Sequence, residues 1–265
     1  MPLLDHHTHS RHSPDGREPV AALVEAAFSE GVSTLAVTDH CDCGLQQVFD
    51  WEERLRGSAE ETEAARLCIR EGLTLLFGIE LGQPLHDQKA AEDILGRYHY
   101  DLVIGSLHNL QETQDFYFLQ DTEADPAVLL TRSCDELREM ARWGGFDILA
   151  HLTYPYRYLG YETTPPIASF EEQLREIFTC LAQNGKALEL NTSGPARSPG
   201  GRMMPELWEL RLFRSCGGEL VTLGSDAHAA IHVGKQLREG QALLREAGFR
   251  YQTTYRGRTP VPVRL

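Results

Sequence analysis

Seven times along this chain a short apolar run ends in a histidine, a carboxylate or an amide, and a helix-length amphipathic segment usually comes next. Leu3–His9 carries His7 and His9, and Thr34–Thr38 runs into Asp39-His40. Leu73–Ile79 delivers Glu80, Asp101–Ser106 delivers His108, and Asp147–Ala150 delivers His151. Ala187–Leu190 leads to Asn191, and Leu220–Leu223 to Ser225-Asp226-Ala227-His228. Between these runs the spacing predicts helices over Glu18–Glu30, Ser58–Glu71, Lys89–Arg97, Pro126–Trp143, Phe170–Asn184, Pro205–Ser215 and Gly234–Ala247. Alternation of this kind builds a parallel sheet with crossover helices. Reactive residues at every strand end favour closure into a barrel, whose active site lies at the C-terminal strand ends. An open doubly wound sheet needs a glycine-rich first loop, which is absent.

Three longer loops are expected: polar Cys41–Gly57, Tyr- and Pro-rich Thr153–Pro166, and Ser193–Met204. Phe249–Arg256 and Thr259–Leu265 read as a C-terminal hairpin with Arg256-Gly257 in the turn. Without a linker or a change of composition, residues 1–265 read as one domain.

The first strand end shows why these residues matter. In an extended strand Asp5, His7 and His9 share one face, and His6 points away as a structural or supporting residue. Imidazole with carboxylate suits zinc, manganese or iron. Each strand-end residue taken singly fits a structural role. Together, His7, His9, His40, Glu80, His108, His151, Asp226 and His228 in one barrel mouth would carry desolvation costs that only bound cations offset. The expected chemistry is therefore multi-metal.

Composition narrows the partners. A formal net charge of −14 argues against binding long nucleic acid or an anionic membrane surface. A small phosphate ester stays open, because bound cations reverse the local field. The start, Met1-Pro2-Leu3-Leu4-Asp5, lacks a basic, apolar secretory signal, and no apolar run approaches the roughly 18 residues of a spanning helix. The six cysteines form no framework, so a cytoplasmic, reduced protein is expected. Oligomeric state is not legible.

Asp5-X-His7-X-His9-Ser10, Ser13-Pro14-Asp15-Gly16, Thr38-Asp39-His40, Gly78-Ile79-Glu80, Gly105-Ser106-Leu107-His108 and Gly224-Ser225-Asp226-Ala227-His228 occur in that order. Their pattern resembles the PHP (polymerase and histidinol phosphatase) family over nearly the whole chain. Length, the Tyr-rich loop and the hairpin look most like its histidinol-phosphate phosphatase branch. The resemblance implies a distorted (β/α)7 TIM-like barrel and three divalent metal ions (Zn, Mn or Fe). His7, His9, Glu80 and Asp226 would hold one ion, with Glu80 bridging to a second on His108 and His151. His40, His228 and Asp15 would hold the third, with His12 as the local competitor to Asp15. Asp5 would orient a ligand histidine. A metal-bridging hydroxide would attack phosphorus in line, without a covalent intermediate; His7, His9, Glu80, His108, His151 and Asp226 would be the catalytic set.

Phosphate also calls for arginine, whose planar fork matches its oxygens. Arg157, after His151, and Arg197, after Asn191, stand in suitable loops, with Arg202 as competitor to Arg197. Tyr154, Tyr156, Tyr158 and Tyr161 either line a pocket for a flat group or pack their loop. Cys41-Asp42-Cys43 is a weak soft-metal or redox signal, and buried inert thiols are commoner. The expected reaction is hydrolysis of L-histidinol phosphate. Alternatives are a related phosphoesterase for nucleoside bisphosphates, short oligonucleotides or phosphotyrosine, or a non-catalytic binding module.

Overall fold

Strands buried on both faces read as continuous apolar runs, and the strand Thr74–Gly82 (β4) shows the consequence. Leu75, Phe77, Ile79 and Leu81 belong to the large core shell between sheet and helices. Leu76 joins a smaller inner cluster with Ala36, Leu102, Ile104, Ile148, Ala150, Ala187 and Tyr255. The computed structural model describes residues 1–44, 50–119, 124–159, 164–197 and 201–265, with backbone only at 196–197.

The remaining barrel strands are β1 (Leu3–Asp5), β2 (Val32–Val37), β5 (Leu102–Ser106), β6 (Ile148–Leu149), β7 (Ala187–Asn191) and β8 (Val221–Gly224). They pair in parallel in the order β1-β2-β4-β5-β6-β7-β8. The ends meet through His6 N–H donating to Leu223 O (2.9 Å) and Asp226 N–H donating to His7 O (2.8 Å). A parallel bridge joins Thr8 to Ala227. The result is a nearly closed barrel of seven parallel strands, as expected.

Helices α1 (Val20–Glu30), α2 (Trp51–Arg66), α3 (Gln88–Leu95), α4 (Pro126–Trp143), α6 (Glu171–Gln183), α8 (Leu207–Ser215) and α9 (Leu237–Glu246) flank the barrel. Two short ones, α5 (Tyr156–Leu159) and α7 (Ser193–Arg197), lie in the loops above it. Among the described residues no helix is long and apolar enough to cross a membrane. The antiparallel hairpin β9 (Tyr251–Arg256) and β10 (Thr259–Arg264) closes the other end. Its Tyr255 sits in the inner cluster and donates to Asp147 O (3.1 Å). Arg258 grips the Asp147 carboxylate at 2.8 Å.

The expected loop Cys41–Gly57 is the largest departure. It holds the end of a short strand β3 (His40–Asp42), which pairs with β4, and the first turns of α2. Gly57, expected as the last residue of that loop, is a packing residue inside α2. A β-carbon there would lie 2.3 Å from the His12 imidazole, so glycine admits that ring. The first strand is also shorter than expected, ending at Asp5 rather than at His9.

At the N-terminus of α8, Glu206 and Glu209 form a capping box, with Glu206 N–H donating to Glu209 Oε2 at 2.7 Å. Burial pushes the Glu209 carboxyl up to about 8, against the lowering effect of that bond. The folded state therefore keeps a proton that the unfolded chain releases near 4.5, and stability falls as pH rises from about 4.5 to about 8. Glu209→Gln keeps the acceptor but cannot ionise. Its thermal midpoint is expected to lose less than wild type between pH 5 and pH 8, and parallel profiles would refute the assignment.

Candidate metal centre

Five histidines from the strand ends of the barrel gather around one carboxylate. Glu80 projects from β4 into the barrel mouth and is fully buried. Its Oε1 lies 2.9 Å from His151 Nε2 and 3.1 Å from His108 Nε2. Its Oε2 lies 2.9 Å from His40 Nδ1, 3.2 Å from His7 Nε2 and 3.5 Å from His9 Nε2. Asp226 Oδ1 stands 3.5 Å from His9 Nε2 on the other side. His228 Nε2 is 3.1 Å from Asp15 Oδ2 and 3.4 Å from His40 Nε2. All nine residues expected as ligands are thus together.

Four buried atoms in the middle make no hydrogen bond among the described residues: His7 Nε2, His9 Nε2, His40 Nδ1 and Glu80 Oε2. Buried polar atoms left without partners are rare unless another ligand occupies the site. Donor atoms close to within 4.8 Å of one another in four overlapping groups: His7/His9/Asp226, His7/Glu80/His151, His40/Glu80/His108 and His9/His40/His228. Nitrogen and oxygen donors so arranged fit divalent cations.

The electrostatics agree. Burial alone would raise the Glu80 carboxyl, yet His7, His40 and His108 hold it well below the carboxylate range. Burial would lower His40, and Glu80 lifts it to about 9. Burial lowers His9 strongly, and repulsion from His228 and His40 adds to it. Positive charge gathered around Glu80 is what cations would supply.

The PHP domain profile matches residues 5–193, which run from the start of the cluster to the end of β7 and beyond. The chain belongs to the PHP domain family. Among curated PHP relatives it is 26% identical to the histidinol-phosphatase of Lactococcus lactis, covering 97% of this chain and 96% of the relative. It is 28% identical to the probable histidinol-phosphatase of Deinococcus radiodurans, covering 98% and 99%. The crystal structure of the Lactococcus lactis enzyme complexed with zinc, L-histidinol and phosphate superimposes with a TM-score of 0.86 at 23% identity, covering 98% of each chain. That likeness establishes the shared PHP barrel.

A cavity of about 510 Å³ opens above the cluster. One wall is aromatic, with Tyr117, Phe118, Tyr154 and Tyr158, and Asp115 and Asp42 also line it. Arg157 is its lining arginine; its guanidinium packs on the Tyr154 ring, donates to Ser193 Oγ (2.8 Å) and lies 3.5 Å from Asp226 Oδ2. Tyr156 instead donates to Pro165 O and packs the loop, while Tyr161 and the Arg197 side chain lie outside the described residues. Arg202 pairs with Glu206 on its own segment at 2.7 Å.

Three expectations are corrected or narrowed. Asp5 reaches backbone and a hydroxyl rather than a histidine ring: its carboxylate accepts from Ser225 N, Ser225 Oγ and Gly234 N, and it also bonds the His7 backbone. Because the strand ends at Asp5, the period-two argument does not extend to His7 and His9. His12 turns to Glu61 at 3.1 Å rather than to the cluster. Cys41 and Cys43 are buried in the outer core, and burial pushes the Cys43 thiol up to about 12, away from thiolate chemistry.

The supporting acids were missed. Glu189 Oε1 accepts from His7 Nδ1 at 2.6 Å, and Glu189 Oε2 accepts from His151 N at 2.9 Å. Asp42 Oδ1 accepts from His108 Nδ1 at 2.9 Å, and Gly82 makes room, since a β-carbon there would lie 1.9 Å from that oxygen. The signals were present: a lone acid within Ala187–Leu190, and an acid one alternation beyond His40.

Proposed function

We propose that this chain, acting as a single domain over residues 1–265, is a metal-dependent phosphatase that hydrolyses L-histidinol phosphate to L-histidinol and phosphate. The observation that carries the reading is the convergence of nine metal-competent side chains on a cavity whose far wall is aromatic and acidic. A flat, cationic substrate head fits that wall, and a phosphate fits the cluster. The names of the curated relatives support the same substrate. The hairpin supports the single domain, since Tyr255 completes the barrel's inner cluster. All six cysteines are free, which suits the reducing cytoplasm.

His7, His9, Glu80 and Asp226 would hold one divalent ion, Glu80, His108 and His151 a second, and His40, His228 and Asp15 a third. Bound there, such ions acidify water enough to give a nucleophile at neutral pH and neutralise phosphate charge. The protein supplies the rest. Glu189 and Asp42 fix the rings of His7 and His108 by taking their Nδ1 protons. Arg157, held face-on by Tyr154, forks onto the non-bridging phosphate oxygens. Arg197 is the second phosphate cation. Tyr154 and Tyr158 flank the substrate's ring.

The test is phosphate release from L-histidinol phosphate beside p-nitrophenyl phosphate and a nucleoside 3′,5′-bisphosphate, with Zn²⁺ or Mn²⁺. A kcat/KM of about 10⁴ M⁻¹s⁻¹ or more for histidinol phosphate, far above the others, supports the reading. Equal slow rates on all three would refute the substrate and leave the phosphatase. Arg157→Ala is expected to lower kcat/KM by about 10- to 100-fold, mainly through KM, as a charged hydrogen bond is worth about 1.5–3 kcal/mol. Unchanged kinetics would remove Arg157 from phosphate binding.

A further inference from the structure

His9 differs from its neighbours in what holds it. His7 and His108 donate Nδ1–H to carboxylates, and His228 Nδ1 donates to the Asp226 carbonyl at 3.0 Å. Among the described residues His9 Nδ1 meets a hydroxyl alone, Ser13 Oγ, at 3.0 Å. A hydroxyl both donates and accepts, so by itself it leaves the tautomer of His9 undecided.

Asp39 decides it. The carboxylate is buried, as are Ser13 and His9. Its Oδ1 lies 2.7 Å from Ser13 Oγ. An ionised carboxylate only accepts, so the single Ser13 proton points at Asp39. Ser13 Oγ is then left with lone pairs alone for its other neighbours. One takes the His40 backbone N–H at 3.1 Å, and the other faces His9 Nδ1, which must carry hydrogen. His9 Nε2 therefore keeps its lone pair and directs it between Glu80 and Asp226, where it makes no hydrogen bond. The geometry is overdetermined: Ser10 N and Ser10 Oγ each donate to Asp39 at 2.7 Å, and Ser58 Oγ donates from α2 at 2.6 Å. The turn between Ser10 and Gly16, which carries Asp15, is thereby tied to the same carboxylate.

We propose that Ser13 and Asp39 are positioning residues that lock His9 in its Nδ1–H tautomer and so aim its Nε2 lone pair at a metal ion. The inference rests on the metal-site reading above. It also predicts what the aspartate's charge does not do. In Asp39→Asn the Ser10 backbone N–H still requires an acceptor at the Oδ1 position. The amide oxygen stays there, Ser13 still donates to it, and the lock holds.

The experiment uses zinc-loaded protein labelled with ¹⁵N-histidine, read by long-range ¹H–¹⁵N correlation and by zinc transfer to a chromophoric chelator. Wild type and Asp39→Asn are expected to show a protonated, slowly exchanging His9 Nδ1 and a zinc-shifted Nε2. Ser13→Ala is expected to lose the slow exchange and to release zinc about 10- to 100-fold faster. If Ser13→Ala keeps both the protected Nδ1–H and the wild-type release rate, the lock is overturned and the metal reading stands. The lock is equally overturned if Asp39→Asn flips His9 to the Nε2–H form. A wild-type His9 Nε2 without a zinc-induced shift overturns the metal-site reading itself.

Discussion

Glu80→Gln is expected to lower kcat by about a thousand-fold or more and to remove at least one equivalent of bound metal. Both Glu80 oxygens are engaged, Oε1 with His108 and His151, and Oε2 with His40, His7 and His9. Glutamine has the same shape, so the fully buried site keeps its packing. What changes is charge: on the proposed reading Glu80 is the anion that two metal ions would share, and an amide offers one neutral oxygen and an NH2 in its place. Losing about 4 kcal/mol of transition-state stabilisation corresponds to roughly a thousand-fold in rate. Steady-state kinetics on L-histidinol phosphate, with metal content by elemental analysis, make the check. A variant with full metal content and more than a tenth of wild-type activity would end the bridging role.

The barrel and the gathering of its polar strand-end residues were legible in the sequence, while the side chains that orient them were not. Strand ends announce themselves jointly: one run that stops at a histidine fits a structural role, but several such runs, at His108 and His151 among them, do not. Parallel strands place all such ends on one rim, so convergence followed from topology alone. The supporting contacts join residues distant in sequence, so an acid such as Glu189 or Asp42 stands out locally without its partner being marked. Glu189 meets His7 across the closed barrel, and Asp39 meets Ser58 from a helix that was expected to begin later. The start of α2 was missed in the same way: Gly57 lies inside the helix, where the absence of a side chain makes room for His12 from another loop. The shared face of Asp5, His7 and His9 was argued from an alternation extended past the point where the strand ends. Arg157 was singled out by its loop and its chemistry, but its contacts with Tyr154 and Ser193 depend on the short helix α5 turning it inward.

Removing metal is expected to cost this protein stability as well as activity. The centre packs Glu80, Glu189, Asp226 and a set of imidazoles into a space almost closed to water, so charge without cations is poorly compensated there. Folding and metal binding are then linked, since the unfolded chain presents no such site. An ion at about a thousand times its Kd stabilises the folded state by about 4 kcal/mol. In a chain of this length each kcal/mol shifts the melting midpoint by about 2–4 °C. One occupied site should therefore raise Tm by about 10 °C over chelator-stripped protein, and further sites should add to it. The pH dependence has a defined sign. His40, lowered by burial but lifted to about 9 by Glu80, holds a proton in the metal-free fold below that value. Metal must displace it, so the increment from a fixed zinc or manganese concentration should shrink from pH 8 to pH 6. Scanning stripped and reconstituted protein at both values makes the measurement. A midpoint that moves by less than about 2 °C on reconstitution would contradict the linkage, because a centre that folds equally well empty has no unmet charge for cations to satisfy.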